Sequence, residues 1–236
     1  MYQEVKPLHP AEHGELKLKQ VDNYGFASQA HAVPVVGPEF GDVSREYVIA
    51  FAQTGENDYA ALAMLGFRQQ ENLFVAADGK WDARYVPVFL RRYPFITSEV
   101  EGGDAIVCID EVGARDLSSP DGMPLFENGQ PTDSTKQMAE ILFRLRDDAN
   151  RDKVWIKEIV DAGLLKSVSA SAELPGGETV NMDGMFVIDE DKLREIPADK
   201  AADWLKRGLL SLVYAHLFSL GNLNALSERL VKRNSN

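Results

Sequence analysis

Apolar positions recur along this chain with two periods, and the changes between them mark the elements. From Ala32 the run AVPVVGPEF is followed by GDVSREYVIAF, two β-rich stretches separated by Gly and Asp turn chemistry. The second is predicted to open on a short helical turn before the strand YVIAF. YAALAMLGF (Tyr59 to Phe67) and NLFVA (Asn72 to Ala76) come next, joined by the polar RQQE, and Ala77 to Gly79 closes the second with a turn. Links this short exclude parallel crossovers and predict an antiparallel meander. Pro87 and Pro94 restrict VFLRRY to a turn or two of helix, after which AIVCIDE (Ala105 to Glu111) alternates as a buried strand.

The period then lengthens. GARDLSSPDGMPLFENGQPTD is rich in Gly, Pro, Asp and Ser and is expected to be a long surface connection, with an internal subdivision near residues 113–133. Beyond it, Met138, Ile141, Leu142, Leu145, Trp155, Ile156 and Ile159 recur at spacings of three and four, predicting helix from Ser134 to Ala162. Thr132, Asp133 or Ser134 can cap its start and Gly163 its end, while the polar interval Asp147 to Asp152 is expected to bend or break it. LKSVSASAEL and ETVNMDGMFVID flank Pro175 to Gly177 as a β-hairpin. A short helix follows at Asp189 to Arg194, then a helix around Trp204 to Leu220 that Gly221 ends. The fold class is α+β: an N-terminal mostly antiparallel sheet, a helical middle, a β-hairpin and a C-terminal core helix. In domain terms this gives an N-terminal segment (1–29), one domain (30–223) and a polar C-terminal tail (224–236).

Composition narrows the function. The chain has 236 residues, with 25 basic and 37 acidic side chains and a formal charge of −12. Nucleic acid and anionic membrane are therefore disfavoured as partners. Cys108 is the sole cysteine, so no internal disulfide forms, and its alternating apolar setting predicts an inert thiol. The first twenty residues lack the apolar core of a secretory signal, and a cytoplasmic location is the expectation. In WLKRGLLSLVYAHLFSLGNL, Lys206, Arg207 and His216 interrupt the apolar run, so a core helix is expected and no transmembrane span.

The chemical motifs are few. His9 and His13 stand four apart with Pro10 between them, which does not assure a shared helical face, and no metal site or cofactor is expected. His31 and His216 read as hydrogen-bonded structural histidines. PGGE (Pro175 to Glu178) lacks the ending of a phosphate loop, and no GxSxG elbow occurs. The stretch WDARYVPVFLRRYPF stands out. Arg84, Arg91 or Arg92 beside Trp81, Tyr85 or Tyr93 can form an anion-binding rim, since a guanidinium both chelates a carboxylate and stacks on a ring. The same residues can also be packing, which is the first expectation, with the arginine stems covering apolar surface.

HAVPVVGPEF, REYVIAF, ALAMLGFRQQENLFVAADGKWDARYVPVFLRRYPF, AIVCIDE, LPGGE and AHLFSLGNL, in that order, resemble the bacterial SapC family from about Ala30 to Leu223. Pro34, Glu39, Phe40, Asn72, Leu73, Trp81, Tyr85, Pro87, Arg91, Arg92, Tyr93, Pro94 and Phe95 match its recurrent pattern. The resemblance implies an association with surface-layer protein export. Some members carry transporter labels, and similar proteins occur alongside cupin-like proteins and flavin-dependent tryptophan halogenases. It assigns no catalytic residue. The expectation is a soluble, noncatalytic accessory protein that binds a small acidic molecule, a peptide or a protein partner through Trp81, Arg84, Tyr85, Arg91, Arg92 and Tyr93. The alternatives are an enzyme acting on an amino acid or peptide in an oxygenase- or halogenase-associated pathway, and a soluble subunit of a surface-layer export system. Apolar helix faces leave homo-oligomerisation open.

Overall fold

A computed structural model describes residues 1–100 and 103–235. In chain order the elements are β1 (Val5–Pro7), α1 (Pro10–His13), β2 (Lys17–Leu18), β3 (Ala32–Pro34), α2 (Phe40–Val43), β4 (Val48–Gly55), β5 (Asp58–Met64), α3 (Val88–Arg91), β6 (Phe95–Ser98) and β7 (Ile106–Asp110). There follow α4 (Glu111–Leu117), β8 (Met123–Pro124), β9 (Phe126–Glu127), β10 (Gln130–Pro131), α5 (Asp133–Asp161), β11 (Leu165–Glu173), β12 (Thr179–Ile188), α6 (Glu190–Arg194), α7 (Ala198–Lys206), α8 (Leu209–Ser219) and α9 (Leu223–Asn234). Antiparallel sheets beside long helices make the chain α+β, as the pattern predicts.

The main sheet runs β11-β12-β4-β5-β3, and the β11/β12 hairpin forms where the sequence predicts it. The hairpin meets β4 at a single pair, Phe186 opposite Phe51. Two positions along, Ile49 and Ile188 are in register, but the His216 ring lies between them. Its Nδ1 is 2.9 Å from Ile49 O, and Ile188 N–H donates to its Nε2 at 3.0 Å. Ser219 Oγ accepts from Ile49 N–H, and Asn222 donates to Ser44 O and Tyr47 O. These three residues, spaced by three, stand in for a strand along the start of β4 and the turn before it, and meet the requirement that buried backbone groups be paired.

Helix α5 packs across β5, with Trp155 edge-on to Phe40 and Phe51. It is continuous through the polar interval expected to break it, because Asp152 is buried with both oxygens occupied. Trp155 Nε1 donates to one at 2.7 Å and Gly37 N–H to the other at 2.8 Å. Burial pushes the Asp152 pKa up. Glu158 accepts from Arg207 and from Trp204 Nε1, tying α5 to α7. The helix expected around Trp204 is broken at Gly208, which has φ of +77° and opens α8 from the left-handed region.

Several expectations change. NLFVA forms only an isolated bridge, Val75 to Trp81, in place of a third meander strand. Arg229 and Arg233 of α9 donate to Leu73 O and Val75 O, so side chains fill the role of a neighbouring strand. The expected surface connection near residues 113–133 is partly interior: Leu125 and Phe126 join Leu18, Ile109 and Ala114 in a second hydrophobic cluster. The N-terminal segment is structured. β1 pairs β7, which pairs β6, and the main-chain amides of Gln3 and Glu4 both reach Asp110.

The expected polar tail is the amphipathic helix α9, with Leu226 and Leu230 buried; Asn236 lies outside the described residues. Gly221 does not end the helical run, because a 3₁₀ turn carries it from α8 into α9. The resulting span, Leu209–Asn234, is long and apolar enough to cross a bilayer by length and composition. Its inner face nevertheless fills the core with Val213, His216, Ser219, Leu226 and Leu230, while Phe218 is 76% exposed.

Candidate functional site

Tyr85 is the centre of the arginine and aromatic stretch, and nearly every polar atom of that residue is occupied. Its N–H donates to Glu46 at 2.8 Å, and its carbonyl accepts from Tyr47 Oη and from Trp81 Nε1 at 3.1 Å. Its hydroxyl donates to Glu39 Oε1 at 2.7 Å and accepts from Arg91 at 3.2 Å. Glu39 is buried and also accepts from Val88 N–H, which anchors the first turn of α3. Burial, then the bond to Glu39, pushes the Tyr85 phenol far above its usual range, so it stays a donor.

Trp81 is stacked on Phe74 and also donates to Tyr47 Oη at 2.9 Å. Tyr93 lies flat on Phe26, with ring centroids 3.9 Å apart, and donates to Asp110 at 3.1 Å. Gly113 leaves room for it; a Cβ there would sit 2.3 Å from Tyr93 Oη. Trp81, Tyr85 and Tyr93 thus hold the loop together from within. Trp81→Phe, which keeps an aromatic face but removes the Nε1 donor and part of the ring system, is expected to cost about 1 kcal/mol or more in urea unfolding without altering binding at the cleft described next.

Arg91 and Arg92 differ from these aromatics. The Arg91 Nε donates to Val86 O at 2.8 Å and its guanidinium lies 5.3 Å from the Tyr85 ring centroid. Arg92 sits 4.3 Å from the Phe89 centroid and donates to Tyr2 Oη at 3.3 Å. Among the described residues neither pairs with a carboxylate, and each retains N–H groups beyond these contacts.

Both arginines border a cleft of about 190 Å³, whose wall also includes Lys19 and Gln20 before β3, Phe95 on β6, Leu125, and Ser134, Thr135 and Met138 on the first turns of α5. Tyr93 also lines it, whereas Trp81, Arg84 and Tyr85 are absent from that wall. Arg84 is exposed elsewhere, its main-chain N–H donating to Glu46. The sequence reading missed Lys19, Ser134 and Met138, because they come from segments far apart in the chain. Only the cationic character of Lys19 was visible beforehand.

The histidine and the thiol best suited to chemistry are both turned inward. His216 is fully buried between strands. Cys108 is buried on β7, where desolvation pushes its thiol pKa up. Larger hollows lie beside α5, at Asp152, Lys153 and Lys157, and over the β4/β12 divergence, at His31, Arg68 and Asp183.

A family model described as SapC matches residues 8–226 of the chain. No curated protein and no solved structure matches it.

Proposed function

The chain belongs to the SapC family, and from that premise we propose that it is a noncatalytic accessory protein whose cleft at Arg91 and Arg92 binds an acidic peptide or protein segment. The observation that carries this reading is that two consecutive arginines border one cleft without carboxylate partners among the described residues, in a chain of net charge −12. In such a molecule self-pairing is the ordinary fate of an arginine, and an unneutralised pair favours an incoming anion. The cleft volume suits one or two side chains better than a bulky cofactor. Its mixed wall, with Lys19 and Ser134 beside Phe95, Leu125 and Met138, suits a carboxylate flanked by an apolar residue. The cytoplasm is the proposed compartment, and the single unbridged Cys108 is compatible with it.

Calorimetric titration with short peptides ending in Asp or Glu next to Leu, against amide-capped Asn and Gln counterparts, tests the reading. Arg91→Ala and Arg92→Ala are each expected to weaken binding about tenfold, near 1.4 kcal/mol. Raised salt weakens it further. Equal affinity for acidic and neutral peptides, or unchanged affinity in both variants, would reject the cleft as the site.

A further inference from the structure

We propose that Glu12, His13 and Glu111 form a site for a divalent transition-metal ion, with zinc as the test ion, at the joint between the N-terminal segment and α4. This inference stands apart from the peptide cleft. One ligand atom from each residue lies within 4.8 Å of the others. His13 is 3% exposed, and its Nε2 is 3.0 Å from Glu111 Oε1. Two metal–ligand bonds of about 2.0–2.1 Å, meeting at angles between square and tetrahedral, place their N and O atoms roughly 3 Å apart. The observed separation therefore suits either a hydrogen bond or two ligands on one ion.

The far side of the ring distinguishes this cluster from an ordinary ion pair. His13 Nδ1 is 3.1 Å from both the N–H and the C=O of His9. With the proton on Nε2, the ring donates to Glu111 and accepts from His9 N–H. With the proton on Nδ1, it donates to His9 O and its Nε2 lone pair faces Glu111. A backbone carbonyl behind the ring is the support that metal-ligating histidines use to fix this second tautomer. In that second state His9 N–H gives up its acceptor and the Nε2 lone pair meets Glu111 without a proton between them, a loss that a cation bound there offsets; its arrival needs a proton shift and no rearrangement of the loop. The ring stays neutral throughout: the proton lost from Nε2 is matched by one taken up at Nδ1 from solvent, with no net release.

Lys6 Nζ stands 3.8 Å from Glu111 Oε1 and 3.5 Å from Glu4 Oε1, so an ammonium partly neutralises the cluster. It competes with an incoming ion. Three protein ligands, one histidine and two carboxylates, leave a coordination position for water. Because His13 and Glu111 are 98 residues apart in sequence, the unfolded chain lacks the site, and bound metal stabilises the fold.

The test uses untagged, chelator-stripped protein titrated with zinc chloride by calorimetry, with thermal unfolding in parallel. One-to-one uptake and a raised Tm are expected. Glu12→Gln, at an exposed position, and Glu111→Gln should each weaken uptake about tenfold or more. His9→Asn, which keeps a capping side chain for α1, should leave it unchanged, and Lys6→Met should tighten it. Nitrogen-15 shifts of the His13 ring should show Nε2 bound to metal and Nδ1 protonated. No uptake overturns the proposal. So does uptake insensitive to both Glu12→Gln and Glu111→Gln, or uptake abolished by His9→Asn, which would mark adventitious binding at an exposed imidazole.

Discussion

Asp110→Ala is expected to lower unfolding stability by about 3–5 kcal/mol and to release the N-terminal strand. The carboxylate is 0% exposed and accepts four hydrogen bonds. Gln3 N–H and Glu4 N–H reach Oδ1 at 2.9 and 2.6 Å, and Tyr93 Oη and Gly113 N–H reach Oδ2 at 3.1 and 3.2 Å. Burial alone would raise its pKa, but these donors hold it below the usual carboxylate range. Alanine strands all four donors, and each buried unsatisfied group costs about 1–3 kcal/mol where water does not reach it. Loss of the Gly113 bond also uncaps α4. Urea denaturation measures the energy, and hydrogen exchange at the amides of Gln3 and Glu4 measures the release. A loss under about 1 kcal/mol with exchange unchanged would show that β1 is held by its ladder alone.

The second large effect is on acid stability. The Ile188 N–H can only donate, so His216 Nε2 must be the acceptor, and the ring is neutral with its proton on Nδ1. Desolvation is the main cause that lowers its pKa, to about 4, from an ordinary 6.5. The sign follows from proton counts: between these values the unfolded chain binds the proton and the folded chain refuses it. Stability from this residue is therefore full above pH 6.5, is lost as pH falls toward 4, and changes no further below that. The difference is worth about 3 kcal/mol. Asp110, with its depressed pKa, contributes stability that is lost only below the ordinary carboxylate range, so the two windows separate.

His216→Leu is expected to cost about 2–4 kcal/mol at pH 7 by stranding Ile49 O and Ile188 N, and to remove the histidine's share of the pH slope between 6.5 and 4. Chemical denaturation of both proteins across that range isolates the histidine. Parallel pH profiles for variant and wild type would disprove a neutral His216 ring bonded between β4 and β12.

The same two residues show where sequence reading stops. AIVCIDE is legible as a strand because its alternation is local, yet nothing within it tells that Asp110 will gather amides from residues 3, 4 and 113. His216 is legible as structural from its apolar helix, but its two partners lie in β4 and β12. In the arginine and aromatic stretch, residue types announce a capacity for stacking and anion binding. The fold divides them, turning Trp81 and Tyr85 to internal bonds, setting Arg84 apart, and leaving Arg91 and Arg92 at a cleft with Lys19, Ser134 and the Tyr93 that is itself tied to Asp110.

By itself the sequence determined the α+β class, an antiparallel arrangement of the early strands, the β11/β12 hairpin, the α5 helix with a cap among Thr132, Asp133 and Ser134, and the likeness to SapC proteins, since periodicity, turn chemistry and capping act over a few residues. Tertiary structure alone decided that the chain ends pack into the fold, that NLFVA lies against arginines in place of a strand, and that an imidazole stands between β4 and β12. Those outcomes depend on which distant donor reaches a buried backbone group first. That choice is made by the three-dimensional accounting of hydrogen bonds, for which a linear pattern holds no record.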